Sequence, residues 1–305
     1  MDVKRAGELV DQGETYQNLA RRVASPGLVR IRHGAYAETL AGSAVQRHVQ
    51  LIEGTWPTLG PDAVLSHVSA GLVHGLPAWA ALLSKVTTIR SISGHGERRT
   101  HLHARRAALS SDEIVELEGY RVTSIERTAI DLACLLSYER AVAVLDAALH
   151  ATADASLLAA TVEAARRRHG IARVRAALAF ADGRAESPGE SISRVRVAEV
   201  GIARPELQVN IFDEFGRWVA RSDFGWLDRG VIGEFDGRVK YLGSREEVAR
   251  AVMKEKAREA AIRRLGWSVV RWGWDDLADR TAFRDRIEAE FARASNPIRG
   301  RVEAA

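Results

Sequence analysis

Asp223, Glu234, Asp236 and Lys240 are the residues whose types and spacing could support chemistry. Ser222-Asp223-Phe224 and the run Glu234-Phe235-Asp236-Gly237 through Lys240-Tyr241 read as two neighbouring β-strands joined by the turn Asp228-Arg229-Gly230. Side chains alternate along a strand, so Glu234 and Asp236 share a face, about 6–7 Å apart. Like charges that close repel unless a cation lies between them. Oxygen ligands on a rigid sheet suit Mg²⁺ or Mn²⁺, which take one or two protein carboxylates and leave other positions to water and phosphate. The chemistry indicated is a metal site of Asp223, Glu234 and Asp236 acting on phosphodiesters. A solvated sheet face ending in an Asp-Gly turn accounts for the same residues equally well.

The elements that must position these groups lie in a third segment, 183–305. Ser187 as N-cap, Pro188 at the first helical position and Glu190 three residues after the cap make a capping box, and the helix runs to Val200 before Gly201. Capping alone explains Glu190; it also joins the catalytic candidates if its second oxygen faces the sheet. Leu207–Ile211, Trp218–Trp226 and Val231–Asp236 alternate as strands, with Asp223 on the face of Val219 and Arg221. An amphipathic helix follows over Glu246–Leu265, with Val248, Val252, Ile262 and Leu265 inward, and Gly266–Trp272 supplies a fourth strand. The predicted order is αβββαβ.

The first segment, 1–61, predicts a short helix over Val3–Val10 and a second over Tyr16–Ala24, with Thr15 as N-cap and Ser25-Pro26-Gly27 as stop. Leu28–Tyr36 alternates apolar and basic residues and turns at His33-Gly34. Two helices and a basic two-stranded wing are the layout of a winged helix-turn-helix, whose second helix enters the major groove of double-stranded DNA. Tyr16, Gln17, Asn18, Arg21 and Arg22 would form its reading face, and Arg30 and Arg32 its phosphate contacts. Gln and Asn suit adenine edges, and Arg suits guanine or phosphate.

The second segment, 62–182, reads as mostly helical with a small β-ribbon over Lys85–Ile92 and Thr100–Arg105. His67 and His74 stand two helical turns apart on Ser66–Pro77, but no third metal ligand is apparent. Arg127 and Asp131 sit four apart and form a structural pair across one turn. Between Lys85 and Arg106, the bases Lys85, Arg90, Arg98, Arg99, Arg105 and Arg106 face only Glu97, a second surface able to track phosphates.

At 305 residues the chain accommodates two or three cores, and its net charge of +4 permits nucleic-acid contact. The single Cys134 excludes an internal disulfide and reads as a buried spacer. No stretch approaches the about 20 apolar residues of a membrane span, and the N-terminus leads into no apolar targeting segment, so a cytoplasmic protein with no membrane partner is expected.

The third segment resembles the very-short-patch-repair-endonuclease-like branch of the PD-(D/E)xK nuclease superfamily. The matching features are Ser187-Pro188-Gly189-Glu190, Pro205-Glu206-Leu207-Gln208, Asp223 with Glu234-Phe235-Asp236-Gly237, and Lys256, Arg258, Leu265-Gly266-Trp267 and Val270-Arg271-Trp272. Gly27-Leu28 to Tyr36, Ser66-His67 to Gly75-Leu76-Pro77, and Thr123 with Arg127-Thr128 and Asp131-Leu132 are similar to actinobacterial proteins with an AbiEi-type antitoxin N-terminal domain. Together these imply an α/β multidomain protein: a winged helix-turn-helix, a mostly helical middle domain and an αβββαβ nuclease-like domain. The resemblance implies catalysis by Glu190, Asp223, Glu234, Asp236 and Lys240. The superfamily's last motif is acidic-x-Lys, but Asp236 stands at the lysine's place, so Lys240 must reach back across the turn or the site is silent. A DNA endonuclease is therefore one expectation. An antitoxin that represses its own promoter and binds a cognate toxin is the other.

Overall fold

In the computed structural model, which describes residues 3–25, 27–90, 96–237, 245–294, 298 and 300–304, the chain opens as β1 (Lys4–Arg5), α1 (Ala6–Asp11), α2 (Tyr16–Ala24), β2 (Val29–Arg32) and β3 (Ala35–Ala37). The three strands form an antiparallel sheet in the order β1-β3-β2. Leu9, Leu19 and Leu28 close a small core beneath the helices. Thr15 Oγ1 accepts the Asn18 N–H at 3.1 Å, so the expected N-cap of α2 is present. The first helix begins at Ala6 rather than Val3 because Lys4 and Arg5 pair with Tyr36 and Ala35, and Glu8 caps Arg5 N–H at 2.8 Å.

Ser43 and Gln46 cap α3 (Ala44–Thr55) reciprocally. Next come β4 (Val64–Leu65), α4 (His67–Val73), β5 (Val86–Arg90), β6 (Glu97–Arg98), β7 (Leu102–Arg106), β8 (Ile114–Leu117), β9 (Tyr120–Thr123) and α5 (Ile125–Ala133). The expected small ribbon is in fact a six-stranded mixed sheet, β6-β7-β5-β4-β9-β8, with β5/β7 and β4/β9 parallel. Strands this short carry little periodicity, and parallel partners are remote in sequence. Leu51 and Ile52 of α3 share one core with Leu65, Val86 and Val122, so Pro61 marks no boundary between cores.

Contacts divide the chain into two units, Met1–Leu136 with Ala153–Arg175, and Ser137–Thr152 with Ala176–Ala305. The expected segments 1–61, 62–182 and 183–305 do not coincide with them. The first unit also holds α7 (Ala155–Ala164), while α6 (Tyr138–His150) packs in the second; α8 (Ile171–Phe180) spans the division. In the second unit α6 lies against α9 (Pro188–Glu199), joined by a 2.6 Å ion pair between the buried Asp146 and Arg194. Asp146 also accepts the Asp182 N–H at 2.7 Å, and Arg194 donates to Phe180 O at 2.8 Å.

The rest of this unit is β10 (Glu206–Phe212), β11 (Trp218–Trp226), β12 (Val231–Phe235), α10 (Arg245–Arg264), β13 (Ser268–Trp272), α11 (Trp274–Ala278), α12 (Arg280–Arg293) and β14 (Arg301–Ala304). The anticipated order of helix, three strands, helix and strand is present within the sheet β13-β12-β11-β10-β14. Its pairings are antiparallel except β12/β13. β14 was not anticipated; it is an edge strand that becomes a strand by pairing with β10. Val209, Ile211, Ile232, Ile262 and Trp267 form one core, and Trp272 meets Phe224 at 5.2 Å and Phe283 at 5.4 Å in an aromatic cluster. Among the described residues no helix is long and apolar enough to cross a membrane.

Asp146→Ala strands Arg194 as a buried charge. A loss of about 3–5 kcal/mol in urea unfolding is expected. A loss below about 1 kcal/mol, the range of exposed pairs, would show that the α6–α9 contact is not the anchor described here.

Candidate functional site

The antiparallel register pairs Phe224 with Gly233, so Asp223 and Glu234 stand one step beyond that pair on adjacent strands β11 and β12. Gly233 is required there: a Cβ would lie 2.6 Å from the Trp272 ring. Asp223 Oδ2 accepts the Phe235 N–H at 2.8 Å, which locks the carboxylate onto β12. On the other side, parallel pairing sets Glu234 opposite Arg271 of β13.

Glu234 is 7% exposed. Its Oε2 lies 2.7 Å from Arg271 Nη2 and 3.1 Å from Arg258 Nη2 of α10. Burial pushes its carboxyl above the ordinary range; Arg258 and Arg271 oppose that rise, and Asp223 adds to it. Arg271 is itself bridged to Glu255 and Glu259 of α10, so helix and strand hold the cation jointly. Glu234 Oε1 and Asp236 Oδ1 are buried without hydrogen-bond partners among the described residues.

Glu190 approaches from α9. Ser187 Oγ accepts its N–H at 3.2 Å, as the capping pattern predicts, but the Glu190 carboxylate returns to the Glu186 N–H at 3.0 Å instead of to Ser187. The same Oε2 accepts Gln208 Nε2 at 2.8 Å. Burial raises the Glu190 carboxyl, partly offset by these donors. The helix start is pressed against the sheet: a Cβ at Gly189 would fall 1.9 Å from the Phe235 ring.

Glu190, Asp223, Glu234 and Asp236 thus line one cleft of about 410 Å³, together with Arg221 and Trp274. Lys240, the anticipated catalytic cation, lies outside the described residues. Arg221 faces Glu186 at 2.6 Å. Gln208 is the residue that sequence analysis did not select as a site residue. It is buried on β10 with a left-handed φ of +52°, a conformation costly for a side chain. Its sequence signal is its place in Pro205-Glu206-Leu207-Gln208, which carries no role for the amide itself.

Among the described residues no group of three or more His, Cys, Asp or Glu converges to hold a metal. The set instead fits an ion that takes few protein ligands. Asp223, Glu234 and Asp236 are hard oxygen donors, and two of their oxygens are orphaned in the cleft wall. The histidines do not complete a metal site: His67 Nδ1 meets Ser66 Oγ at 3.0 Å and His74 Nε2 meets Thr123 O at 2.8 Å.

On the α1–α2 hairpin, Tyr16, Gln17, Asn18 and Arg21 are exposed on α2, as is Arg30 on β2. The other two arginines of the expected surface are engaged within the fold. Arg22 pairs with Glu14, and Arg32 turns back to Thr58 Oγ1 at 2.8 Å and Gly54 O at 3.4 Å.

The Glu190 carboxyl keeps its proton to higher pH in the fold than its ordinary value of 4.5 allows in the unfolded chain. Its contribution to stability is therefore full below about pH 4.5 and lost as pH rises through the folded pKa. Glu190→Gln retains an acceptor for Glu186 and Gln208 but cannot ionise. Urea unfolding should find it more stable than wild type at pH 7, with the gap closing toward pH 4.5. An unchanged pH slope would assign that dependence to Glu234.

No protein-family model matches the chain. It is 31% identical over 290 residues to the "Uncharacterized protein Rv2248" and to the "Uncharacterized protein MT2308", from two strains of Mycobacterium tuberculosis, covering 92% of this chain and 96% of each relative. Against the crystal structure of the RV2827C protein of the same organism the TM-score is 0.37, with 14% identity, over 60% of this chain and 77% of that one. By the extent and identity of the first two matches, this chain belongs to the family of those two mycobacterial proteins.

Proposed function

We propose that this protein is a cytoplasmic, double-stranded-DNA-binding nuclease. In this proposal α1, α2 and the β2–β3 hairpin act as a winged helix-turn-helix, an AbiEi-like region spans 62–182, and 183–305 is a PD-(D/E)xK-like catalytic domain. The observation that carries the reading is the single cleft lined by five carboxylates, Glu190, Asp223, Glu234, Asp236 and Glu255, with arginines in the same wall. Asp223 and Glu234, on adjacent strands, would hold Mg²⁺ or Mn²⁺ with water in its other positions and Asp236 nearby; the ion would supply an activated water and shield the scissile phosphate. Asp223, fixed by the Phe235 N–H, presents its carboxylate without reorganisation. Arg258 and Arg271 would meet a phosphate oxygen where the superfamily uses lysine, because each lies beside Glu234.

A second reading has its own observation. Both arginines converge on one oxygen of Glu234, as expected if the carboxylate serves to tie α10 and β13 to β12. The fold is then a scaffold, and the protein is an antitoxin-like repressor with a cognate toxin as partner.

A plasmid-nicking assay separates the two. Nicking with Mg²⁺ or Mn²⁺ that EDTA stops, that Asp223→Ala and Glu234→Ala abolish, and that falls about 10²–10³-fold in Arg258→Ala is expected of the enzyme. DNA binding without any nicking would leave only the scaffold reading. For the DNA surface, Arg30→Ala should lower the slope of log K against log salt by about 0.9. Gln17→Ala and Asn18→Ala should each cost about 1–3 kcal/mol on a cognate site alone. Arg32→Ala should instead lower the melting temperature, since its guanidinium is spent on Thr58 and Gly54. An unaltered salt slope in Arg30→Ala would move the DNA surface to the bases between Lys85 and Arg106.

A further inference from the structure

We propose that a cavity in the first unit, between the ends of β5 and β7, α5 and the turn after α7, binds a phosphate group carried by a small molecule. The cavity measures about 320 Å³, and Arg105, Arg106, Arg127 and Arg168 bring four guanidiniums to it against a single lining carboxylate, Asp131. Glu113, outside the lining, pairs with Arg127, so two carboxylates stand beside the four guanidiniums and the wall keeps a net positive charge.

Asp131 is fully committed to the fold. Its side chain is 1% exposed, Arg127 Nε donates to it at 2.9 Å, and Arg168 pairs with its other oxygen. Arg127 is 95% buried by its side-chain exposure of 5%, and its Nη1 is bound to Glu113 at 2.7 Å. Its Nη2 is buried with no partner among the described residues, and the same holds for Arg105 Nε. Buried guanidinium N–H groups without acceptors are costly, and an anion in the cavity would satisfy them. Burial depresses the pKa of Arg105; Asp131 raises it, but Arg98 and Arg168 depress it further, as an excess of positive charge requires.

His67 lies in the same cavity wall. It is buried there with a left-handed φ of +48°. Burial holds its pKa at about 4, so at neutral pH it is an uncharged imidazole that can donate to an anion without adding repulsion.

A phosphate dianion matches this wall better than a halide or a carboxylate. It offers several acceptor oxygens and up to two charges to guanidinium forks that bind oxyanions in pairs. The volume exceeds what one phosphate fills, and Ile89, Ala107 and Leu135 give the remainder an apolar side suited to an organic ester.

The test is calorimetry on the full chain at constant ionic strength, with inorganic phosphate and with ribose 5-phosphate as probes. Saturable one-to-one binding is expected, about tenfold weaker in Arg105→Gln and in Arg106→Gln, since each removes a charge-assisted hydrogen bond. Arg175→Gln removes an equal charge from the exposed surface of α8 outside the cavity and should leave affinity unchanged. Both cavity variants alter residues that are not fully buried, and their urea midpoints should match wild type. Tighter binding of ribose 5-phosphate assigns the site to an ester, and equal binding assigns it to the free anion. No saturable heat with either probe at millimolar concentration, or the same weakening in Arg175→Gln, overturns the proposal.

Discussion

The carboxylate cleft depends on one constraint: Glu234 is buried beside Asp223 and must still be compensated. Removing an ion from water is expensive, and a second negative charge on the adjacent strand makes it more so. The compensation comes from two elements at once, Arg271 across the parallel β12/β13 pair and Arg258 from α10. It is therefore sensitive to register. A slip of one residue between β12 and β13 would send Arg271 to the opposite face of the sheet and leave Glu234 facing Asp223. The packing of Gly233 against Trp272 opposes that slip, because no other residue fits so near the indole.

Three buried carboxylates show how differently such charge can be used. Asp146 is matched with Arg194 and receives the Asp182 N–H, so both of its oxygens are occupied and the contact ties α6 to α9. Glu234 is compensated at one oxygen, and its other oxygen is buried without a hydrogen-bond partner among the described residues. Asp131 is surrounded by more cation than it can neutralise. The first arrangement is complete by itself. The other two leave unsatisfied polar atoms at a cavity wall, which is where ligand chemistry is best sought.

Much of the local structure was legible from residue type. Thr15 before α2, Ser187-Pro188 before α9 and the Gly230 turn between β11 and β12 act within a few residues of themselves, and each stands where its chemistry placed it. The carboxylates on β11 and β12 were likewise legible, since alternation along a strand and a tight turn set their faces. Less visible were partners chosen across the fold. Arg22 and Arg32 read as free basic residues of a wing, yet one is drawn to Glu14 and the other to Thr58 and Gly54. Gln208 gave no sign of its left-handed backbone or of its bond to Glu190.

The sequence alone determined where α2, α9 and α10 lie, where the second unit's three central strands lie and which acids share their faces, because caps, turns and period-two alternation are local physics; α3, α11 and α12 were not read from it. Tertiary structure decided everything that needs two distant segments to meet. It assembled Val64–Leu65, Val86–Arg90 and Tyr120–Thr123 into a mixed sheet, made a strand of Arg301–Ala304 against β10, and assigned α6 to the second unit. It also distributed the arginines, sending Arg271 and Arg258 to Glu234 and Arg168 to Asp131. Guanidiniums on long flexible stems carry no sequence periodicity that names a partner; only the low-dielectric interior, which penalises every uncompensated charge, selects one.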